Sequence, residues 1–485
     1  MTPVSPGVPP AGNILRPQPA ADSFNRIGFW VLLAYTVIVF SRIFDNFASL
    51  SGLHIPMISV LLMSVPVFFT GEILTTLGSK ISIRWVAFTV WLLLATLTSV
   101  WRGGSVDMLQ NYWVPSLFLF FAMAGLVKGV ADCIRVLNMI ALSMFVILFV
   151  VHTSGRVLFD RLMGGEGVLG NSNYLASQLL FGLPFCLLLI FRKPFSVMGI
   201  LAAVAALDSL YIILSTGSRA GFFGVLVLGG ILFLLAPPMK KLQLVLVGTV
   251  LGAGMLAIVP DQIWSRFSTS FQMDRNSAAT MDELSAVESS LSRWQLLMQG
   301  VDMTLTNPLL GVGPGMFIVA TSDEMAERGY VGFWKDSHNS YTQVSSEAGI
   351  PALLVFLSVL GVTLKTLFSL YRQGRHSKDK DLTLIALCIG LSLLTTMFTA
   401  MFSNIAYHLY FTTLSGLTVA LARVSSHELA WARQPKATAR AVPRVLAVQP
   451  QPPSWNPSTP PAVPSERYAF GRVRRKPNPQ LQTRP

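Results

Sequence analysis

Three short stretches put chemically capable side chains in unusual settings. Thr216-Gly217-Ser218-Arg219-Ala220-Gly221 places an arginine in a tight turn between two apolar runs. Ser292-Arg293-Trp294 places a second arginine inside a long polar interval. Asp336-Ser337-His338-Asn339-Ser340-Tyr341, followed by Gln343 and Glu347, places a histidine just ahead of the next apolar run. A guanidinium is always charged and grips phosphate through two parallel hydrogen bonds. An imidazole takes up a proton near neutral pH and can serve as a base. Together these types allow anion binding beside a proton acceptor. Each also has a plainer role: Arg219 as an interfacial contact to lipid phosphate, Arg293 as a solvated cation, His338 as a structural hydrogen-bonder. Gly311-Val312-Gly313-Pro314-Gly315 has neither the Lys-Ser/Thr of a Walker loop nor the spacing of a dinucleotide fingerprint, and reads as a tight turn.

The elements that must position these residues are membrane helices. The 485-residue chain is 52% hydrophobic and only 12% charged, and its mean hydropathy is +0.57. Soluble domains carry roughly 25% charged residues, so the composition excludes an ordinary soluble enzyme. Apolar runs recur from Ile27–Phe44 to Tyr407–Ala422, about twelve in all and each near the length that spans a bilayer. Cys133, Cys186 and Cys388 fall in or beside these runs without CxxC spacing, so they read as buried structural thiols. The net charge of +13 is concentrated in the C-terminal tail and alternate loops, which fits the positive-inside rule better than nucleic-acid binding.

The expected organisation is a disordered cytoplasmic leader (1–24), helices 1–9 (25–259), one large outer loop (260–349), helices 10–12 (350–423) and a disordered basic Pro-rich cytoplasmic tail (424–485). Lys and Arg gather in the loops on one side, which predicts both termini inside and the large loop outside. Within that loop, Leu284, Val287, Leu291, Trp294, Leu297, Met298, Val301 and Leu305 form one apolar helical stripe, for packing on the bundle or lying in the interface. Thr280 and Glu283 have capping-box spacing, and Asn307-Pro308 ends the helix. His338, Tyr341 and Ser345 are expected on one helical face, with Ser337 as N-cap and Gly349 as a break. Asp208 is the main charge inside an apolar run, expected to face the bundle interior.

Taken in order, Gly-Ser-Arg-Ala-Gly, Ser-Arg-Trp, Asn-Pro-Leu-Leu-Gly-Val-Gly-Pro-Gly and His-Asn-Ser-Tyr-x-Gln-x-x-x-Glu-x-Gly resemble the O-antigen ligase/O-antigen polymerase (Wzy-type) superfamily. The motifs cover about Leu214 to Ile350, and the span plan covers the rest. The resemblance implies an all-α polytopic membrane protein of GT-C-like architecture whose large periplasmic loop contains amphipathic helices. It implies a metal-independent glycosyltransferase without a cofactor. The expected reaction moves a glycan from an undecaprenyl-pyrophosphate donor to lipid A–core or another glycan acceptor, in a bacterial inner membrane. By motif, His338, Arg219 and Arg293 are the implied catalytic residues. Ser218, Asn339, Tyr341 and Glu347 are the implied substrate-binding ones. A ligase is expected first; a polymerase and a protein O-oligosaccharyltransferase stay open, as does a lipid-linked oligosaccharide transporter of a different class.

Overall fold

A computed structural model describes residues 19–46, 55–69, 71–158, 161–258, 263–264, 281–327, 329 and 335–433. Most of the expected leader and tail, Thr280 and the Glu283 side chain lie outside the described residues. The chain folds as an all-α polytopic membrane protein. The helices are α1 (Pro19–Ser41), α2 (Ile55–Phe69), α3 (Glu72–Leu77), α4 (Lys80–Leu97), α5 (Arg102–Met108), α6 (Val114–Leu126), α7 (Val130–Ser154), α8 (Ser172–Arg192), α9 (Val197–Ser215), α10 (Arg219–Leu235), α11 (Pro238–Ile258), α12 (Met281–Thr306), α13 (Phe317–Glu327), α14 (Ser340–Ser377), α15 (Lys380–Thr399) and α16 (Leu409–Arg433). The only strands among the described residues are β1 (Arg156–Leu158) and β2 (Arg161–Met163), an antiparallel hairpin.

Every expected apolar span coincides with a helix, but their lengths differ. Seven (α1, α4, α7, α8, α9, α14 and α15) are long and apolar enough over the described residues to cross a membrane. α10 has 17 residues, about 25 Å of helix against a hydrocarbon core of about 30 Å. The run expected at Trp113–Val130 starts earlier: α5 continues through a π-helical turn, Leu109–Trp113, into α6. Two ends also differ from expectation, since α1 already begins at Pro19 and α16 continues through Arg433. Asp208 does not turn inward; it meets His152 at 2.8 Å on a partly exposed flank. All three cysteines are buried.

Aromatic packing fixes the bundle around α4. Trp85 and Phe88 pack on Trp113 at 5.4 and 5.2 Å between ring centroids, and Phe88 reaches Phe356 at 5.8 Å. Offset and edge contacts at these separations are the favoured aromatic geometries. The indole nitrogens are also used: Trp85 donates to Ser415 Oγ at 2.8 Å and Trp91 to the Ala348 carbonyl at 2.9 Å.

The joint that positions the site is the break in α14. Gly349 is held at φ 83°, ψ 171°, and Pro351 follows it. Proline has no N–H and clashes with the carbonyl four residues earlier, so the helical ladder opens here. Within a membrane every backbone group still needs a partner. The Ser346 and Glu347 carbonyls accept from Val312 N and Gly313 N, each at 2.9 Å, and Ile350 N donates to the Pro308 carbonyl at 2.8 Å. With Trp91 on Ala348, three successive carbonyls at the break are satisfied. The glycine-rich stretch is therefore a clamp on this kink. Gly311 is at φ 66°, and a β-carbon there would lie 2.3 Å from the Glu347 carbonyl carbon. The clamp also reaches α4, because Val100 N donates to the Val312 carbonyl at 3.0 Å.

Candidate active site

Each of the expected catalytic residues starts from a different local device. Gly217 at φ 59° turns the chain after α9, and Ser218 caps α10 by accepting from Gly221 N at 3.3 Å. Gly221 lets α10 approach α8: a β-carbon there would sit 2.8 Å from Ala176 Cβ. Arg219 thus occupies the first position of α10, where the helix dipole adds to its own positive charge.

Arg293 comes from α12, which packs through a face other than most of its apolar stripe. Its buried positions are Val287, Leu296, Gly300, Met303 and Thr304. Small and polar groups make the contact with α14: Gly300 lies against Thr342, and Thr304 Oγ1 meets Ser345 Oγ at 2.8 Å. The larger apolar stripe, with Trp294, Met298, Val301 and Leu305, stays exposed. The packed face combines this close approach through small residues with an apolar cluster of Leu296 and Met303 against Val312, Met316 and Phe317. Arg293 sits beside the exposed stripe.

His338 is not on a helix. It adopts φ 49°, a left-handed conformation that is uncommon for a residue with a β-carbon. The N-cap is Asn339 rather than Ser337: its Oδ1 accepts from Tyr341 N at 2.9 Å and Thr342 N at 3.2 Å. Ser337 instead donates from its hydroxyl to the Asn339 carbonyl at 3.2 Å. Ser340 ties this turn to the α15–α16 connection: its N donates to the Ala400 carbonyl at 2.8 Å, and its hydroxyl donates to the Ser403 carbonyl at 2.6 Å.

These devices converge. Arg219, Arg293, His338 and Asn339 line one cavity of about 640 Å³. Its other wall is apolar, with Phe223, Leu226 and Val227 from α10, Leu297 from α12, and Phe398 and Phe402 from the α15 end. The α10 part of that wall was open to sequence reasoning: positions 219, 223, 226 and 227 follow helical spacing from the arginine. Burial holds the His338 imidazole below its usual pKa, Arg293 pushes the same way, and Asp336 pulls it up. The net effect disfavours the charged imidazolium. Asp336 was not among the expected site residues; its place two residues before His338 was the available signal.

Three expected substrate-binding residues do not line this cavity. Ser218 is buried as the α10 cap. Tyr341 donates its hydroxyl to the Met397 carbonyl at 2.8 Å, pinning α14 to α15. Glu347 is only 3% exposed. Its carboxylate accepts from Gly315 N at 2.9 Å and Phe317 N at 3.3 Å, which closes the glycine clamp. Among the described residues, no group of three or more His, Cys, Asp or Glu could hold a metal ion.

Residues 203–357 match the family model described as O-antigen ligase. The chain is also 25% identical over 219 residues to the teichuronic acid biosynthesis protein TuaE of Bacillus subtilis (strain 168). That match covers 43% of this chain and 42% of the relative, so the chain spans about two fifths of the length of the protein it matches. The matched family segment contains Arg219, Arg293, His338 and the whole glycine clamp. The matched segment is thus similar to the O-antigen ligase family and is set in a polytopic membrane bundle.

Proposed function

We propose that this chain is a glycosyltransferase of the ligase type, which transfers a glycan from a lipid-linked pyrophosphate to an acceptor hydroxyl. The carrying observation is the cavity itself. Arg219, Arg293 and His338 border a slot whose remaining wall is apolar. A polyprenyl pyrophosphate has that division of chemistry: a doubly charged head group on a hydrocarbon chain.

The acceptor oxygen attacks the anomeric carbon as the bond from that carbon to the pyrophosphate oxygen breaks. The departing pyrophosphate keeps the electron pair, and its growing charge is stabilised by Arg219 and Arg293. The acceptor's proton passes to His338. A sugar hydroxyl is far less acidic than imidazolium, so proton transfer accompanies attack rather than preceding it. Direct displacement of this kind inverts the anomeric configuration. The reading includes an undecaprenyl carrier, an inner-membrane location, the cavity facing the periplasm, and lipid A–core as acceptor. The alternation of basic loops supports that orientation: Lys128 and Arg423 meet Glu72, and Arg192 meets Asp381, at ends away from the cavity.

The test is transfer by the purified full chain in nanodiscs, from undecaprenyl-pyrophosphate glycan to lipid A–core. Arg219→Ala, Arg293→Ala and His338→Ala should each lower the rate by about 100-fold or more, the usual cost of removing a transition-state partner. Wild-type rates in all three variants would sink the reading. Extension of lipid-linked repeats in the absence of lipid A–core would make the protein a polymerase.

A further inference from the structure

The cavity just described holds the cationic groups. A second cavity of about 460 Å³ lies along α12, with Met325 of α13 on its other side. Ser292, Gln295, Met298 and Gln299 line it, and no charged side chain does among the described residues. The two cavities share one residue, Trp294, which is 49% exposed. A large aromatic left half open at the divide between two cavities calls for a partner of matching chemistry.

We infer that this second cavity is a sugar subsite, in which a pyranose ring stacks on Trp294 and its hydroxyls bond to Gln295 and Gln299. A pyranose presents an apolar C–H face and a rim of hydroxyls. An indole offers a flat apolar surface, and carboxamides both donate and accept, as vicinal hydroxyls require. Gln295 and Gln299 are one helical turn apart, so their amides face the same side. Lys335 donates to Ser292 Oγ at 3.2 Å, at the edge of this cavity. The volume lies within the usual range of about 300–1,000 Å³ for small-molecule sites. The inference rests on the proposed function, in which the first cavity holds the lipid pyrophosphate. A glycan leaving that head group, or arriving to meet it, passes Trp294. The sugar therefore belongs either to the donor or to the acceptor.

Binding separates these sources without requiring turnover. The full chain in nanodiscs is titrated with undecaprenyl pyrophosphate, with undecaprenyl-pyrophosphoryl N-acetylglucosamine, and with lipid A–core. The variant is Gln295→Ala combined with Gln299→Ala. If the subsite takes donor sugar, wild type prefers the sugar-bearing lipid by at least about tenfold, and the double variant loses that preference while binding sugar-free lipid as before. If it takes acceptor sugar, the double variant weakens lipid A–core by about tenfold and leaves both donor lipids unchanged. Trp294→Ala should weaken the same glycan ligand, with partial recovery in Trp294→Phe. Unchanged glycan affinities in the double variant overturn the inference. So does an equal loss for sugar-free lipid. Arg219→Ala with Arg293→Ala tests the underlying reading separately: undiminished binding of sugar-free pyrophosphate there refutes the proposed donor site, whatever Gln295 and Gln299 do.

Discussion

Glu347 separates a structural role from a substrate-binding one, and the structure gives the size of the effect. Its carboxylate accepts two backbone N–H groups, from Gly315 and Phe317, in a site closed to solvent. Glu347→Gln keeps the shape but offers only one acceptor oxygen. The amide nitrogen then points a donor at a second buried donor. A hydrogen bond contributes about 0.5–1.5 kcal/mol, and a buried unsatisfied N–H costs about 1–3 kcal/mol. The substitution should therefore cost about 2–4 kcal/mol. Glu347→Ala leaves both N–H groups without a partner and adds a cavity, so it should cost more. Thermal unfolding in detergent, followed by intrinsic fluorescence, measures the loss. Transfer per folded molecule, assayed well below the transition, should stay within severalfold of wild type, because the carboxylate does not border the reaction cavity. Unchanged thermal stability with transfer reduced about 100-fold would place Glu347 on the substrate and refute the clamp.

Asp336→Asn tests the base. Removing that carboxylate removes an influence that raises the His338 pKa, so the pKa falls further below its ordinary value. The acid limb of kcat/KM should move to lower pH, since the imidazole stays uncharged there; an unmoved limb, or one moved upward, means His338 is not the proton acceptor. Gly349→Ala should be severely destabilising, by about 3–5 kcal/mol. Its β-carbon would sit 2.1 Å from the Leu309 carbonyl oxygen at a left-handed φ. Gly361→Ala is the control in the same helix, with nothing within 4 Å of the added carbon, and should be neutral or slightly stabilising when thermal midpoints are compared.

The fold was legible where hydrophobic burial alone decides it. Long apolar runs became helices because no other open structure satisfies the backbone in lipid. Legibility failed where two rules competed. The bulky stripe of α12 carries the stronger apolar periodicity, yet Gly300 and Thr304 make the interface. The capping rule pointed to Ser337, but the left-handed turn at His338 moved the helix start two residues on, and Asn339 took the cap. That same turn removed His338 from the helical face expected for it.

Of the residues expected by motif, those that reached the cavity and those that did not differ in a physical way. Arg219, Arg293 and His338 have charged or titratable ends that burial in the core would penalise, and all three border open space. Ser218, Tyr341 and Glu347 can each find a backbone partner nearby, and each does. Sequence shows the residue type but not the backbone group that will claim it. At Pro351 that competition becomes positional. The proline opens α14, the freed carbonyls need donors, and the glycine stretch supplies them. The same stretch follows α12 directly, so the obligation to satisfy the break also fixes the end of the helix that carries Arg293. His338 lies just ahead of the two helical turns that precede the break. Two elements of the candidate site are thus held in register by a backbone debt unrelated to catalysis, which explains why a glycine-rich motif without phosphate-binding geometry accompanies the arginines and the histidine.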